Sequence, residues 1–366
     1  MSFFLKVLFS LMVCLVLQGC SRPPDLIGVE HPEVSSTDVP GIKSHKVFIM
    51  TSRARSSVEA EFYSRKRSEQ LGLSSVIVTV PPRHATSKIE RSKSNPPDPR
   101  RSFTVVEPVV YETDDGFLSS INRELAKRPP EDRTILGFIH GYNMTLSDAT
   151  LRLTQFVEDS GFEGVPVLFS WASYASVTRY VYDLNSALQS RVQMVSVANL
   201  LTRSDAKRVD VLAWSMGSFA IMEGIVYAAT TGQFDRKNRL KNVILASPDI
   251  DLDLFRAQLT LIPEVVDDIY ILTSKADFAL KFSSLIAGRQ TRLGHANLEQ
   301  LEGLGVSVID LSEVDDVGTK SHGKFAESPQ IVQLIGRGLQ DTNSLGEVAG
   351  GETVSLPSLL IQDPRR

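Results

Sequence analysis

From Thr134 onward the chain alternates short, wholly apolar runs with longer stretches in which apolar residues recur every three or four positions. The first pattern marks strands buried on both faces, and the second marks helices with one buried side. Strands are predicted over 135–139, 165–170, 243–246, 269–273 and 306–311, and helices over 146–157, 182–201, 252–261, 278–286 and 329–339. Between the second strand and the third, Val209, Val211, Leu212 and Ala213 lead into Ser215, and Phe219, Ile221, Met222, Ile225 and Val226 continue with helical spacing. That stretch reads strand, tight turn, helix. Strands separated by helices of this length pair in parallel, with crossovers on both faces of one sheet. The fold class is therefore α/β, with a mostly parallel central sheet and helices on both faces.

The N-terminal part is less regular. Short strands are predicted over 46–51, 75–80 and 103–111, the second stopped by Pro81 and Pro82, and a short amphipathic helix over 117–125. Residues 83–102 carry six basic and two acidic side chains and read as a solvated loop, or as a basic face toward anionic head groups. Residues 1–20 hold one lysine and an apolar run from Val7 to Leu17, too short for a comfortable membrane span and laid out as a secretory signal. Residues 21–44 contain four prolines and no apolar periodicity, which reads as a tether. Residues 341–366, rich in Gly, Ser and Pro, read as a loosely held tail, so the folded domain is expected over 45–340.

Composition narrows the chemistry. The 366 residues carry a formal charge of -4, which gives no reason to expect a nucleic-acid partner. The two cysteines, Cys14 and Cys20, both lie at the extreme N-terminus, so no disulfide and no cysteine-based metal site holds the domain. A serine at the tip of a strand–turn–helix joint sits in a strained backbone with small neighbours, its hydroxyl exposed and the next amide, that of Met216, pointing where an acyl oxygen would develop charge. Such a serine needs a histidine to take its proton and a carboxylate to orient that histidine. The histidines are His31, His45, His84, His140, His295 and His322.

The pentad around Ser215 resembles the nucleophile elbow of α/β-hydrolases, G-x-S-x-G, with Ala213 for the first glycine and Trp214 where many members carry histidine. In that family the acid and then the histidine follow the serine, each in a loop after a strand. Two histidines qualify by order: His322, after the last predicted strand, is favoured over His295, which precedes it. For the acid, Asp277 just past strand 269–273 is favoured over Asp249, which follows strand 243–246 and lies beside Asp251. Either of the latter pair would otherwise serve as a turn residue or helix cap. The resemblance also implies a second oxyanion donor from the loop after the third strand, here the Tyr142 amide in His140-Gly141-Tyr142, with His140 a structural residue of that turn. Tyr174, Tyr180 and Tyr182 read either as a lid or pocket wall or as packing beneath it.

Four motifs in order, FIHGYN at 138–143, LFSWAS at 168–173, AWSMGS at 213–218 and LASPDID at 245–251, resemble the bacterial α/β-hydrolase group known as domain of unknown function 900. The resemblance implies the α/β-hydrolase fold and a Ser-His-Asp hydrolase with no metal or organic cofactor, acting on a small-molecule or lipid acyl substrate, an ester or thioester before an amide. Leu17-Gln18-Gly19-Cys20 resembles the lipobox of bacterial lipoproteins, which implies cleavage before Cys20, lipid on its thiol, and membrane attachment at the outer membrane facing the periplasm, since Ser21 rather than Asp follows. An uncleaved N-terminal anchor is the other reading. A non-catalytic envelope protein that uses the fold for binding or scaffolding is the alternative function, and acyl transfer to an acceptor other than water would use the same site.

Overall fold

A computed structural model describes residue 23, residues 25–234, 239–314 and 322–340, and the backbone of 353–355. Its centre is one sheet. In chain order the strands are β1 (Lys43–Arg55), β2 (Tyr63–Val80), β3 (Thr104–Val110), β4 (Thr134–Ile139), β5 (Val165–Ser170), β6 (Arg208–Trp214), β7 (Leu240–Ala246), β8 (Ile269–Thr273) and β9 (Ser307–Asp310), with β10 (Thr353–Ser355) added at one edge. Across the sheet they run β10-β9-β8-β7-β6-β4-β5-β1-β2-β3. Every neighbouring pair from β10 to β1 is parallel, and only the β1–β2 and β2–β3 pairs are antiparallel.

Eight longer helices cover the sheet: α1 (Asp114–Leu125), α2 (Leu146–Ser160), α3 (Tyr180–Gln189), α4 (Arg191–Thr202), α5 (Met216–Thr230), α6 (Leu252–Leu261), α7 (Phe278–Ile286) and α8 (Pro329–Gln340). Right-handed crossovers decide which face each helix takes. The step from β4 to β5 runs one way along the sheet, and the steps from β5 to β6, β6 to β7 and β7 to β8 run the other. Accordingly α2 packs with α8 on one face, where Leu136, Phe138, Leu153, Phe156 and Ile335 share a core. Helices α3 to α6 lie on the opposite face with Ile135, Ile139, Ala213 and Phe255. Alternate residues of β4 thus point into different cores, as a strand period of two requires.

Three features differ from the sequence expectation. Strand β2 begins at Tyr63, twelve residues ahead of the predicted 75, because its first half forms a two-stranded ribbon with β1 that leaves the sheet and rests on α3 and α4. There Arg67 donates from Nε to Ser186 Oγ at 2.8 Å and lies over the Tyr182 ring, and Gln193 Nε2 donates to Ser68 O at 3.1 Å. The single helix predicted over 182–201 breaks at Ser190 into α3 and α4. The tether expected over 21–44 is corrected from residue 25 on: Ile27 is buried, its amide donates to Ala60 O, and the Asp25 carboxylate accepts from the Ser147 amide at 3.1 Å.

The basic loop 83–102 is likewise fastened at two points rather than wholly solvated. His84 bridges Glu90 at 2.7 Å and Asp159 of α2 at 3.0 Å, and Arg91 pairs with Asp148 at 2.7 Å. The signal and lipobox, 1–20, fall outside the described residues, as does the tail apart from the β10 backbone, which pairs in parallel with β9. No helix among the described residues is long and apolar enough to cross a membrane.

Candidate active site

Strands β4 to β7 end at one edge, and the loop after each contains one non-glycine residue with positive φ: Asn143 at 60°, Ala175 at 58°, Ser215 at 55° and Ser247 at 46°. Such conformations cost on the order of 1–3 kcal/mol each and persist only where the surroundings impose them. Four others, Phe62, Ser87, Glu107 and Arg289, are scattered over the fold, so a cluster of four in successive loops sets this edge apart.

Ser215 has φ 55° and ψ -119° between β6 and α5. The turn is held on both sides: the Ser215 amide donates to Ala246 O at 2.9 Å, and its carbonyl accepts from the amides of Ser218 and Asp249. The small neighbours expected of an elbow have a measurable reason. A Cβ on Gly217 would lie 2.3 Å from Ile139 O and 2.6 Å from His140 O, so only glycine lets α5 start this close to the end of β4. Ala213 is fully buried, with room for its methyl where a glycine is usual.

The structure brings His322 and Asp277 together. Nδ1 of His322 meets Oδ2 of Asp277 at 2.8 Å, and the other oxygen, Oδ1, caps α7 by accepting from the Leu280 amide at 3.1 Å. Asp277 is completely buried, so its orientation is fixed from two directions. His322 is tied to the elbow as well, because Trp214, the residue before Ser215, donates from Nε1 to the His322 carbonyl at 2.9 Å and packs against the imidazole with ring centres 5.4 Å apart. Trp214 at the position where many hydrolases have histidine therefore acts as a strap on the histidine loop.

The rival acid is engaged elsewhere. Asp249 is buried, pairs with Arg292 Nε at 3.2 Å and accepts from the hydroxyls of Tyr180 at 2.8 Å and of Ser283. The rival base, His295, lies in a 3-10 turn with Nε2 buried and unpartnered, and the Asp277 carboxylate bonds His322 instead. Among the other histidines, His45 pairs with Glu158.

The proposed oxyanion donors are placed by a network that sequence reading missed. Gly141 lies against Ser215: a Cβ there would come 3.1 Å from Ser215 Cβ and 3.2 Å from Trp214 O. The loop 141–144 that carries the Tyr142 amide is clamped at each successive peptide. His140 Nδ1 reaches Gly141 O at 2.8 Å, the Asn143 amide donates to Asp183 Oδ2 at 3.2 Å, the Met144 amide donates to Ser173 Oγ at 3.2 Å, and Arg53 donates to Met144 O at 2.9 Å. The amides of Tyr142 and Met216 themselves donate to no backbone carbonyl among the described residues.

The protonation of this network follows from its partners. His140 is wholly buried, which lowers its pKa to about 3, with the Arg53 charge adding to the effect, so the ring is neutral. A carbonyl only accepts, and each ring nitrogen faces one: Nδ1 meets Gly141 O at 2.8 Å and Nε2 meets Trp171 O at 3.2 Å; the shorter contact places the proton on Nδ1, and Nε2 then accepts from Ser170 Oγ at 3.1 Å. Ser170 can donate because its own oxygen accepts from Arg53 Nε at 2.8 Å. Arg53, fully buried, also donates to Ser173 O at 3.0 Å, and burial lowers its pKa to about 10, leaving it a cation at neutral pH. Asp183 also accepts from Ser173 Oγ at 2.6 Å and the Tyr174 amide at 2.6 Å, while burial pushes its carboxyl upward. Trp171 completes the unit by stacking on His140 at 4.9 Å and donating to His140 O at 2.8 Å. The sequence signal was available: Arg53 extends an apolar strand, and Asp183 is the one acid in a helical segment rich in uncharged residues.

A cleft of about 810 Å³ opens over the edge, lined by Tyr142, Met144, Ala175 and Trp214 with Arg91 and Arg152 at one end, both paired with carboxylates. Tyr180 borders it through edge-to-face contact with Tyr142, whose hydroxyl pKa is raised by burial to about 12. Tyr174 and Tyr182 pack on each other, and Tyr182 also meets the β1–β2 ribbon, so of the three tyrosines only Tyr180 packs on Tyr142. The cleft reaches this site through Trp214 and Tyr142 and is not lined by Ser215, Asp277 or His322 themselves; a second cavity of about 120 Å³, almost wholly apolar, lies between the sheet and helices α4 and α5 and touches none of the three either. Among the described residues no group of three His, Cys, Asp or Glu side chains is placed to hold a metal ion.

The family described as alpha/beta hydrolase of unknown function (DUF900) matches residues 114–338. The chain belongs to this family. The match takes in the elbow, the Asp277–His322 pair and the 141–144 loop, whereas Arg53 and the whole β1–β2 ribbon lie ahead of it. No curated protein matches the sequence. Solved structures with a similar arrangement include an esterase of Pyrobaculum calidifontis, at 11% identity and TM-score 0.36, covering 58% of this chain and 77% of that one. A lipase-esterase related protein of Clostridium acetobutylicum matches at 12% identity and TM-score 0.31, covering 58% and 95%. EstE1, a carboxylesterase cloned from a metagenomic library, matches at 12% identity and TM-score 0.34, covering 57% and 79%.

Proposed function

We propose that the protein is a serine hydrolase that cleaves a carboxylic ester or thioester through an acyl-enzyme. The observation that carries this reading is the His322–Asp277 pair at 2.8 Å, its carboxylate fully buried and its histidine strapped by Trp214, the residue before the strained Ser215. Ser215 Oγ attacks the acyl carbonyl as its proton passes to His322 Nε2, and Asp277 holds Nδ1–H and stabilises the imidazolium. The oxyanion accepts from the amides of Met216 and Tyr142, the second of which the clamped 141–144 loop holds without reorganisation. Collapse expels the leaving group with the proton from His322, and water then attacks the acyl-enzyme with His322 as base again. The cleft beside Trp214 and Tyr142 suits an uncharged acyl group, since its arginines are already paired.

The enzyme is further proposed to act at the bacterial envelope, attached through lipid on Cys20. Removing residues 1–19 takes away one positive charge and leaves 38 basic against 43 acidic residues, a formal charge of -5. Replacing Cys20→Ser is expected to move the protein from the membrane to the soluble fraction.

A fluorophosphonate reagent tests the chemistry without knowledge of the substrate. Residues 21–366 contain every described residue, and intact mass is expected to show one label on this chain and none on Ser215→Ala or His322→Ala. A folded parent that stays unlabelled overturns the reading and leaves a binding or scaffolding role for the fold.

A further inference from the structure

Helix α7 turns its apolar face outward. Of its nine residues only Leu280 and Ser283 are buried, whereas Phe278, Phe282 and Leu285 are each 61% exposed and Ile286 46%. Their spacing of four, seven and eight positions from Phe278 puts all four on one side of the helix. A surface helix ordinarily presents that stripe to the core. Near this helix, the start of α3, joined to the buried side of α7 by the hydrogen bond between Tyr180 and Ser283 at 3.0 Å, carries Val177, at the rim of the 810 Å³ cleft, and Val181, 72% and 62% exposed. An apolar surface gathered in this way marks a contact with something other than water.

The charges around it select the partner. Over residues 174–189 and 274–292 the exposed charges are Arg179, Lys275, Lys281 and Arg289, while the carboxylates, Asp183 and Asp277, are both buried. Within these two stretches of a chain with formal charge -4 every exposed charge is a cation, and the exposed carboxylate beside them is Glu313, next to the Ser312 hydroxyl that accepts from the Lys275 amide at 3.0 Å. A second copy meeting this face about a two-fold axis would set like charges against one another, which counts against a homodimer. An apolar stripe flanked by cations matches the boundary between acyl chains and anionic head groups.

We propose that α7 and the start of α3 dock on an anionic lipid surface, the phenylalanines entering the head-group region and the lysines and arginines meeting lipid phosphates. The inference stands apart from the chemistry of Ser215, but it gives that chemistry a location: Asp277 is the N-cap of α7, so the docked helix begins at the side chain that holds His322.

The test uses the unlipidated 21–366 chain and sedimentation with vesicles of phosphatidylcholine alone or mixed with phosphatidylglycerol. Binding to the mixed vesicles, weakened by salt, is expected for the parent and equally for Ser215→Ala, which separates docking from catalysis. Replacing Phe278 and Phe282 together by Ser is expected to lower binding by roughly ten-fold or more. Replacing Lys275 and Lys281 together by Gln is expected to lower it roughly thirty-fold on the mixed vesicles, with binding to phosphatidylcholine unchanged. These side chains are exposed, so thermal midpoints close to the parent's verify that the variants fold. The proposal is overturned if the parent sediments with neither vesicle. It is equally overturned if the parent elutes as a dimer that Phe282→Ser dissolves, or if vesicle binding emerges only after truncation at residue 340.

Discussion

Replacing Asp277→Asn separates the two jobs of that side chain. Oδ1 caps α7 and Oδ2 faces His322 Nδ1. Asparagine caps a helix as well as aspartate, so the first job survives and the thermal midpoint stays near the parent's. The second is inverted, because an amide NH2 set against Nδ1 donates where the carboxylate accepted. His322 must then carry its proton on Nε2, where Ser215 needs an acceptor. Loss of the right tautomer in a triad costs roughly 10⁴ in rate, about 5.4 kcal/mol of barrier. The assay is the second-order rate of fluorophosphonate labelling, followed by intact mass beside a melting curve. Asp249→Asn is the control. It disturbs the contacts to Arg292, Tyr180 and Ser283 and is expected to lower stability on the order of 2–4 kcal/mol while labelling stays within about ten-fold of the parent. Labelling that survives Asp277→Asn and disappears in Asp249→Asn would refute the assignment of the acid.

Gly217→Ala should be the most damaging methyl in the elbow, since its Cβ meets two backbone carbonyls, one at 2.3 Å, that no rotamer change can move; urea unfolding should show a loss of more than about 1–3 kcal/mol together with lost labelling. Ser170→Ala leaves Arg53 Nε buried without a partner and His140 Nε2 with the Trp171 carbonyl at 3.2 Å in place of the hydroxyl, which costs on the order of 1–3 kcal/mol and, by loosening the Tyr142 amide, slows labelling by up to about 10². A melting midpoint or a labelling rate equal to the parent's would show that this relay does not set the loop. His84 supplies the pH dependence: burial alone lowers its pKa, but hydrogen bonds to Asp159 and Glu90 outweigh that and raise it from 6.5 to about 9. The stability it confers is therefore complete below its unfolded value and lost as pH rises through about 9. The urea midpoint of the parent should fall across that window relative to His84→Gln, and parallel curves for the two proteins would refute the assignment.

The core of the fold was legible because its strands are buried on both faces and its helices on one, so periodicity reports burial directly. Each predicted strand from 135 onward is present, with ends shifted by a few residues. The outer half of β2 was not legible for the same reason. Residues 64–70, Ser-Arg-Lys-Arg-Ser-Glu-Gln, bury no apolar face, and the ribbon is held by polar side chains, Arg67 and Gln193 among them, that reach across to or from α3 and α4. Periodicity also missed the anchoring of residues 25–42, since isolated contacts such as Ile27 against the domain leave no repeat to detect.

The site divides along a similar line. The Asp277–His322 contact could be anticipated, with Ser215 as the candidate serine, from residue type, chain order and strand ends, because a triad would need those groups at those loops whatever lies around them. What fixes them was not assigned: Arg53 at the end of an apolar strand and Asp183 alone among uncharged residues stand out in the sequence, but their partners are mostly backbone carbonyls and amides, which have no residue identity there, and the Trp214 and Ser170 contacts show no spacing at all. An arginine donating to Ser170, Ser173 and Met144 shows in the sequence only as a charge at the end of an apolar strand, yet it joins the end of β1 to the loops after β4 and β5. Burying that cation without a carboxylate in direct contact is costly unless its hydrogen bonds are all made. Four bonds donated by the Arg53 guanidinium, each of 3.5 Å or less, occupy four of its five N–H donors and, through Ser170 and His140, fix the Gly141 carbonyl. Since the Tyr142 N–H belongs to the same peptide unit as that carbonyl and is trans to it, holding one aims the other. An amide aimed in advance is the condition under which a backbone donor stabilises an oxyanion without reorganising, so the buried arginine bears on the chemistry of Ser215 although it touches neither the serine nor its histidine.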